Sequence, residues 1–405
     1  MLWGWCPALL FAVHPQAVWG VAWVTGNYYA TTAYFMLISY FILHTFPNIW
    51  GALIAMPIFA AGLNSTICCI SFPFFFALTG NIWGCSLFIP LAFYLNGKRF
   101  TTGIKIRDSF KQNKPMKMEF TYKRFFLMTK IVGRYIIDTI FPDKLALFTP
   151  YGHNINDDPK IYDWWQSPNL LFWQSFAVIG AAFVGGMFIN PVGTLWFFVV
   201  LALHSQWRMT GQFYAQRYIY CALPGFCVVL GLVLQHYPIL ATIVATFYFI
   251  RAFIFIPTFR SNECLSINDL DTFPNFSQAM NSLSQYYLNY PYPKGVSMPG
   301  WRVNQIGYLL FRAEELEPTS WSIKMNAACF FALVQQWPIC LQKTTEALEL
   351  VRPLGGLPHP VNILEQQVKN VTALIQQIQQ QQQQQIQSGA NNVSAPIQGQ
   401  TNVQP

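Results

Sequence analysis

Hydrophobic residues in this chain gather in long unbroken runs rather than alternating with polar ones. Residues 170–189 (LLFWQSFAVIGAAFVGGMFI) carry no charge over 20 positions. Crossing roughly 30 Å of hydrocarbon at about 1.5 Å per helical residue takes about 20 residues, so this run alone is long enough to span. Comparable runs cover 28–46, 65–79, 82–95, 191–204, 218–235 and 238–256, with a shorter one at 49–63. Continuous runs argue for helices, because barrel strands would alternate. The pattern predicts an all-α fold, a polytopic transmembrane helix bundle of about 7–9 spans. Asn190-Pro191 predicts a tight hairpin between two runs, and His236-Tyr237-Pro238 a second break. These turns place 142–169, 205–217 and the C-terminal region on one face of the bundle.

Composition agrees. Only 10% of residues are charged, against roughly 25% in soluble domains. The formal net charge of +8 resides mostly in Lys98–Arg124, where nine Lys and Arg face Asp108 and Glu119, a local balance of +7. That stretch reads either as a cytoplasmic loop under the positive-inside rule or as a basic rim for anionic lipid headgroups. Within the following run, 125–141, Lys130, Arg134 and Asp138 recur every four residues and share one helical face. One charged stripe predicts a helix lying in the interface plane. Nine cysteines show no ligand spacing, and no structural metal is expected. The N-terminal segment lacks a basic region and a small-residue cleavage site, and reads as the far end of a helix whose beginning is missing.

The expected organisation is a transmembrane domain over 1–257, with a polar interlude at 98–169. A linker over 258–300 and a helical module over 301–353 come next, then a Gln-rich low-complexity tail over 354–405. In the module, Ala313 and Ala347 head similar segments 34 residues apart, the tetratricopeptide period. Asn326–Leu333 and Ile339–Leu350 read as its helices, and a plain helical hairpin is the alternative. Residues 376–385 are Gln apart from Ile378, and the tail is expected to be disordered. Sequons at Asn275, Asn370 and Asn392 are weak patterns.

Polar residues within or beside apolar runs are costly and therefore mark candidate sites. One cluster holds His14-Pro15 and Trp23, the latter suited to a membrane interface. A second is Gln216-Arg217-Tyr218-Ile219-Tyr220, in which a guanidinium between two phenols suits a phosphate. Its alternative is a snorkelling Arg within an aromatic belt. A third runs through His153, Asp157, Asp158 and Asp163, whose acids suit a general base or a bound divalent cation, the one cofactor the residues suggest. A solvated loop is the alternative there. Gly-rich phosphate loops, G-x-S-x-G and H-E-x-x-H are absent from the sequence, and no nucleic-acid partner is expected.

These motifs in this order resemble a known family. LLFAVHP followed by VAWVTGN is similar to a signature of the multi-spanning glycosyltransferases of the C superfamily that carry C-terminal tetratricopeptide repeats. Arg134-Tyr135 through Phe141-Pro142 to Leu145, and Gln216-Arg217-Tyr218-Ile219-Tyr220, resemble two further motifs of that family. The resemblance covers residues 1 to about 353 and implies transfer of a sugar from a polyprenyl-phosphate donor to a protein or glycan acceptor. The chemistry would fall on the extracytoplasmic side of a bacterial inner membrane or the endoplasmic reticulum, with the repeat module on that side recruiting a protein partner. It further implies that Arg217 meets the phosphate, His14 phosphate or sugar hydroxyls, and Trp23 stacks or anchors; Arg134, Tyr218, Tyr220 and His153 would complete the binding set. The family's acids are missing: Trp19, Tyr29 and Gln216 stand at their positions, and Asn27 stands where the family has an Arg. Asp157 and Asp158 remain as substitutes. The rival expectation is a non-catalytic membrane scaffold recruiting partners through its helical module.

Overall fold

The computed structural model describes residues 5–22, 27–65, 67–95, 122–146, 167–202, 204, 214–291, 297–352 and 358–393. Every regular element among the described residues is helical, as the apolar runs predict. Two compact units result, one running to Tyr286 and the other from Tyr287 on.

The first unit contains α1 (Trp5–Val13), α2 (Val18–Ala22), α3 (Asn27–Thr45) and α4 (Ile49–Ser65). The helix expected over 65–79 is broken: a 3-10 turn at Ile67–Ser71 precedes α5 (Phe72–Leu78). Then follow α6 (Ile82–Leu95), α7 (Tyr122–Ile140), α8 (Leu170–Ile189), α9 (Pro191–Ala202), α10 (Leu223–Leu234) and α11 (Pro238–Phe255). Residues 258–300, expected as linker, hold α12 (Asn262–Thr272) and α13 (Ser277–Leu288). Ser261 caps α12 by accepting from the Cys264 N–H at 3.1 Å, a start signal that the apolar pattern does not register.

Two helices, Leu170–Ile189 and Pro238–Arg260, are long and apolar enough to cross a membrane. Five further apolar helices are shorter, at 49–65, 69–78, 82–95, 191–202 and 223–234. Only 17% and 22% of the two long windows are buried, whereas a soluble core helix would be enclosed on most sides. Their apolar surface faces outward.

The hairpin at Asn190 forms as predicted. Asn190 ends α8 and starts α9, its Oδ1 accepting from the Gly193 N–H at 2.7 Å, and Pro191 occupies the first helical position. The two helices meet closely at Gly186, where a Cβ would lie 2.6 Å from Thr194 Oγ1. The core beneath is aromatic: Phe59 stacks on Phe88 at 4.3 Å, and Trp196 packs among Phe72 and Phe75 while its indole N–H donates to the Cys221 carbonyl at 2.9 Å.

The expectation for α7 needs correction. Its charged stripe turns into the protein rather than toward an interface: Lys130 and Asp138 are buried. The helix runs alongside α8 in the same direction. Phe126 meets Phe172 at 4.8 Å, Gly133 lets Ser175 approach, and Ile136 and Ile140 reach the level of Ala182 and Gly185. Lys130 Nζ donates to the Ser167 carbonyl at 2.8 Å.

The second unit contains α14 (Gly300–Leu316), α15 (Trp321–Leu333), α16 (Trp337–Val351) and α17 (Pro358–Val393), each packed on the next. Ala313 and Ala347, the residues that set the 34-residue spacing, are both fully buried. The segment expected as a disordered tail is helical through Val393. Leu364 and Val371 are buried, and Leu364 packs on Ala347, Leu348 and Val351; this seam seeds a helix that Gln, a good helix former, can continue.

Candidate functional site

The polar residues of the first unit converge on the C-terminal end of α7 and the segment after it. A helix leaves its last four carbonyls without intrahelical donors, and where they are buried the protein itself must supply them. Here every carbonyl from Ile137 to Leu145 accepts a hydrogen bond. Backbone N–H groups of Phe141 and Asp143 serve Ile137 and Phe141 at 2.8 Å. Gln16 Nε2 donates to Asp138 O and His14 Nε2 to Thr139 O, both at 2.9 Å. The Tyr248 hydroxyl donates to Thr139 O at 3.3 Å and Ile140 O at 3.1 Å. Arg251 donates to Pro142 O at 3.1 Å and also to Asp143 O. Gln216 donates to Lys144 O, and Asn268 to Leu145 O at 2.8 Å.

This arrangement assigns His14. Its Nδ1 accepts from the Gln16 N–H at 3.2 Å, so Nε2 carries the proton that reaches Thr139. Both ring nitrogens are therefore engaged, and the ring packs on Tyr248 at 4.5 Å and Phe226 at 6.1 Å. His14 is a helix cap here, with both ring nitrogens spent on backbone groups.

Arg134, another expected ligand residue, forms an ion pair one turn away on its own helix. Its Nε donates to Asp138 Oδ2 at 3.1 Å, and Nη2 lies 2.8 Å from Oδ1. The Tyr214 hydroxyl also donates to Asp138. Tyr214 stacks on Tyr135 at 4.4 Å, and the Tyr135 hydroxyl accepts from the Ala215 N–H at 3.1 Å. From sequence Asp138 reads as one member of a charged stripe and Tyr135 as part of a family-like motif, with nothing to join either to Tyr214. The four-residue spacing of Arg134 and Asp138 was the available signal of an intrahelical pair.

Arg217 lies on a 3-10 turn, Gln216–Ile219, that leads into α10. The turn is fixed by Gln216, whose Oε1 accepts from the Ala146 N–H at 3.4 Å while Nε2 holds Lys144 O. The guanidinium lies 5.0 Å from the Tyr218 ring centre and hydrogen-bonds Tyr29. Tyr28 stands beside Tyr29 with ring centres 4.3 Å apart, and Tyr218 stacks flat on His204 at 4.4 Å. Arg217 and Tyr218 are both half-buried. The result is a half-buried cation set among aromatic rings.

Tyr220, expected as the second flanking phenol, points elsewhere. It is 6% exposed, meets Phe11 edge-on at 5.7 Å, and covers Gly20, where a Cβ would lie 2.4 Å from its ring. The partner of Arg217 is Tyr29 instead. Trp23, His153, Asp157 and Asp158 lie outside the described residues, so the third cluster and one member of the first have no geometry to weigh. Among the described residues no three His, Cys, Asp or Glu side chains group as metal ligands.

The positions that the resemblance assigns to lost acids all have structural partners. Trp19 is 1% exposed and packs edge-on against Phe255 at 5.3 Å and Phe259 at 5.0 Å. Tyr29 meets Arg217 and Gln216 clamps the segment after α7. The fold and site define an all-helical protein with outward-facing apolar helices and a cationic aromatic nest. Comparisons with models of known families, with curated proteins and with solved structures give no match.

Proposed function

We propose that this chain is a multi-pass membrane protein of glycosyltransferase type that binds a polyprenyl-phosphate sugar at Arg217. One observation carries the reading: the half-buried guanidinium is held between Tyr218 and Tyr29, with His204 stacked behind Tyr218. A planar cation of this kind donates paired hydrogen bonds to phosphate oxygens, and aromatic faces suit a sugar ring or the start of an isoprenoid. Tyr28 and Tyr29 complete the nest in place of Tyr220. Membrane residence is supported by the outward apolar faces of α8 and α11, and the shorter apolar helices would complete the bundle.

Transfer chemistry needs a carboxylate near the acceptor. Asp138 is engaged by Arg134 and Tyr214, so the base falls to Asp157 or Asp158, with or without a divalent cation. The second unit would recruit a protein partner on the extracytoplasmic side. The scaffold reading is favoured by a separate observation. His14 and Gln216, at two positions of the family-like motifs, cap a helix end, so side chains at motif positions serve structure here.

Binding of a radiolabelled polyprenyl-phosphate sugar to the detergent-solubilised full chain tests the proposal. Arg217→Ala should weaken binding at least tenfold, while Tyr220→Phe, altered at a core ring, should leave it unchanged. Equal binding by Arg217→Ala and the parent would remove the nest from the account. If binding holds but Asp157→Asn and Asp158→Asn leave sugar transfer intact, those acids are not the base.

A further inference from the structure

At the end of the first unit away from Arg251, the turn after α8 and the turn between α10 and α11 come together. A slot of about 300 Å³ runs between α7, α8, α9 and α10, walled by Ile136, Phe197, Val229 and Leu230 and floored by Ala182 and Gly185. It meets a wider recess of about 530 Å³ through Ile189 and Val233, which line both. Beyond them the recess is lined by Gln235, His236 and Tyr237. The two together are an apolar slot with a polar mouth, and the slot falls in the size range of about 300–1,000 Å³ typical of ligand sites.

The small residues of α8 distinguish packing from vacancy. A Cβ on Gly186 would strike Thr194 at 2.6 Å, so the close approach of α9 requires that glycine. A Cβ on Gly185 meets nothing within 4 Å. No neighbouring helix claims the space in front of it. An unfilled hollow forfeits dispersion contacts, and the slot offers water little: the one polar side chain in its lining, Thr194, already donates to the Asn190 carbonyl at 2.8 Å. The residues of α8 around the slot, Val184 and Phe188 among them, are exposed and apolar, so the chain that fills the slot comes from hydrocarbon. At the mouth, Gln235 and His236 lie 3.3 Å apart. The recess also adjoins the start of α11, which has no side-chain cap on its first-turn amides, so that helix end favours an anion there.

We propose that a bilayer phospholipid occupies this cleft, one acyl chain in the slot over Gly185 and its phosphate among Gln235, His236 and Tyr237. The site lies at the opposite end of α11 from Arg251 and the capped segment, so this lipid is a resident of the bundle and not the sugar donor. The inference rests on the reading that α8 and α11 lie in a bilayer.

Native mass spectrometry of the full chain in detergent, with phosphatidylglycerol added after delipidation, tests it. Gly185→Leu fills the slot and should reduce the retained lipid adduct at least tenfold. Gly180→Leu enlarges a residue on the same helix that also has open space before it but lies outside the slot, and should leave the adduct unchanged. Equal adducts in the two variants would overturn the proposal, as would stronger retention of polyprenyl phosphate than of phosphatidylglycerol. If Gly185→Leu fails to fold, Ala182→Leu fills the slot from the preceding turn and is read in the same way. Failure of the membrane reading gives a different result: the parent chain would remain in solution without detergent.

Discussion

Gln216 occupies a position where the resemblance places an acid, and its two amide atoms meet two different needs. Nε2 donates to the Lys144 carbonyl while Oε1 accepts from the Ala146 N–H. An ionised carboxylate only accepts, so Gln216→Glu would set an anion against a carbonyl in a buried place. The expected cost is about 1–3 kcal/mol of stability, the penalty for a buried group that loses its partner. A thermal melt of the full chain in detergent measures it, and an unchanged melting temperature would show that the clamp carries no load. Tyr29 illustrates the complementary case. It keeps the hydrogen bond to Arg217 without the charge an acid would bring, which leaves the guanidinium its full positive charge for an anionic ligand.

Regular elements whose burial pattern is one-dimensional were the easiest to read from sequence. The run at 170–189 appears as α8 with the same bounds, because an uninterrupted apolar stretch with Asn at each end leaves little choice. What pattern alone missed was set by tertiary partners. The stripe of α7 looked like an interface helix because Gln16, His14 and Tyr248, which receive its end, are over 100 residues away in the chain. Tyr220, three residues after Arg217, looked like a flanking phenol because the sequence does not show that the 3-10 turn ends at Ile219 or that Phe11 and Gly20 receive its ring. In the second unit Glu314 on α14 and Glu346 on α16 share Lys324 and Lys343 at 2.6–3.4 Å, pairings between helices that spacing along the chain does not reveal. Burial disfavours ionisation of both carboxyls, but hydrogen bonds and charge from the lysines outweigh it and hold both below their ordinary value. A carboxyl with a depressed folded value contributes stability that is present above its unfolded value of about 4.3 and lost as pH falls through the folded one. Lys324 is shifted up despite burial, so its share persists until pH rises beyond about 10.4. Lys324→Met should therefore cost about 1 kcal/mol at pH 7 and much less at pH 3. Thermal unfolding of the full chain at the two values separates these outcomes.

For the whole molecule, the direction of α7 determines which segments share a side. It starts beside the beginning of α8, where Lys130 holds the Ser167 carbonyl, and runs the same way as α8. Two helices joined in sequence can run the same way side by side only if the connection returns to the starting level. The hydrogen bonds trace that return. Thr139 lies against Tyr248 in the middle of α11, whereas Pro142 and Asp143 lie against Arg251, nearer the end of that helix. The chain enters, ends a helix among capping side chains and turns back, a path that apolar surroundings permit only when each freed carbonyl is satisfied by protein. If α8 crosses a bilayer, the starts of α7 and α8 lie on one side, which predicts that the basic segment and the Asp157 region are reached from that side. In sealed vesicles of a variant whose native cysteines are replaced, Lys114→Cys and Asn154→Cys should react with an impermeant maleimide from the same side, and Gln235→Cys from the other. Labelling of the first two from opposite sides would mean that α7 is a full crossing, and the capped carbonyls would then need another explanation.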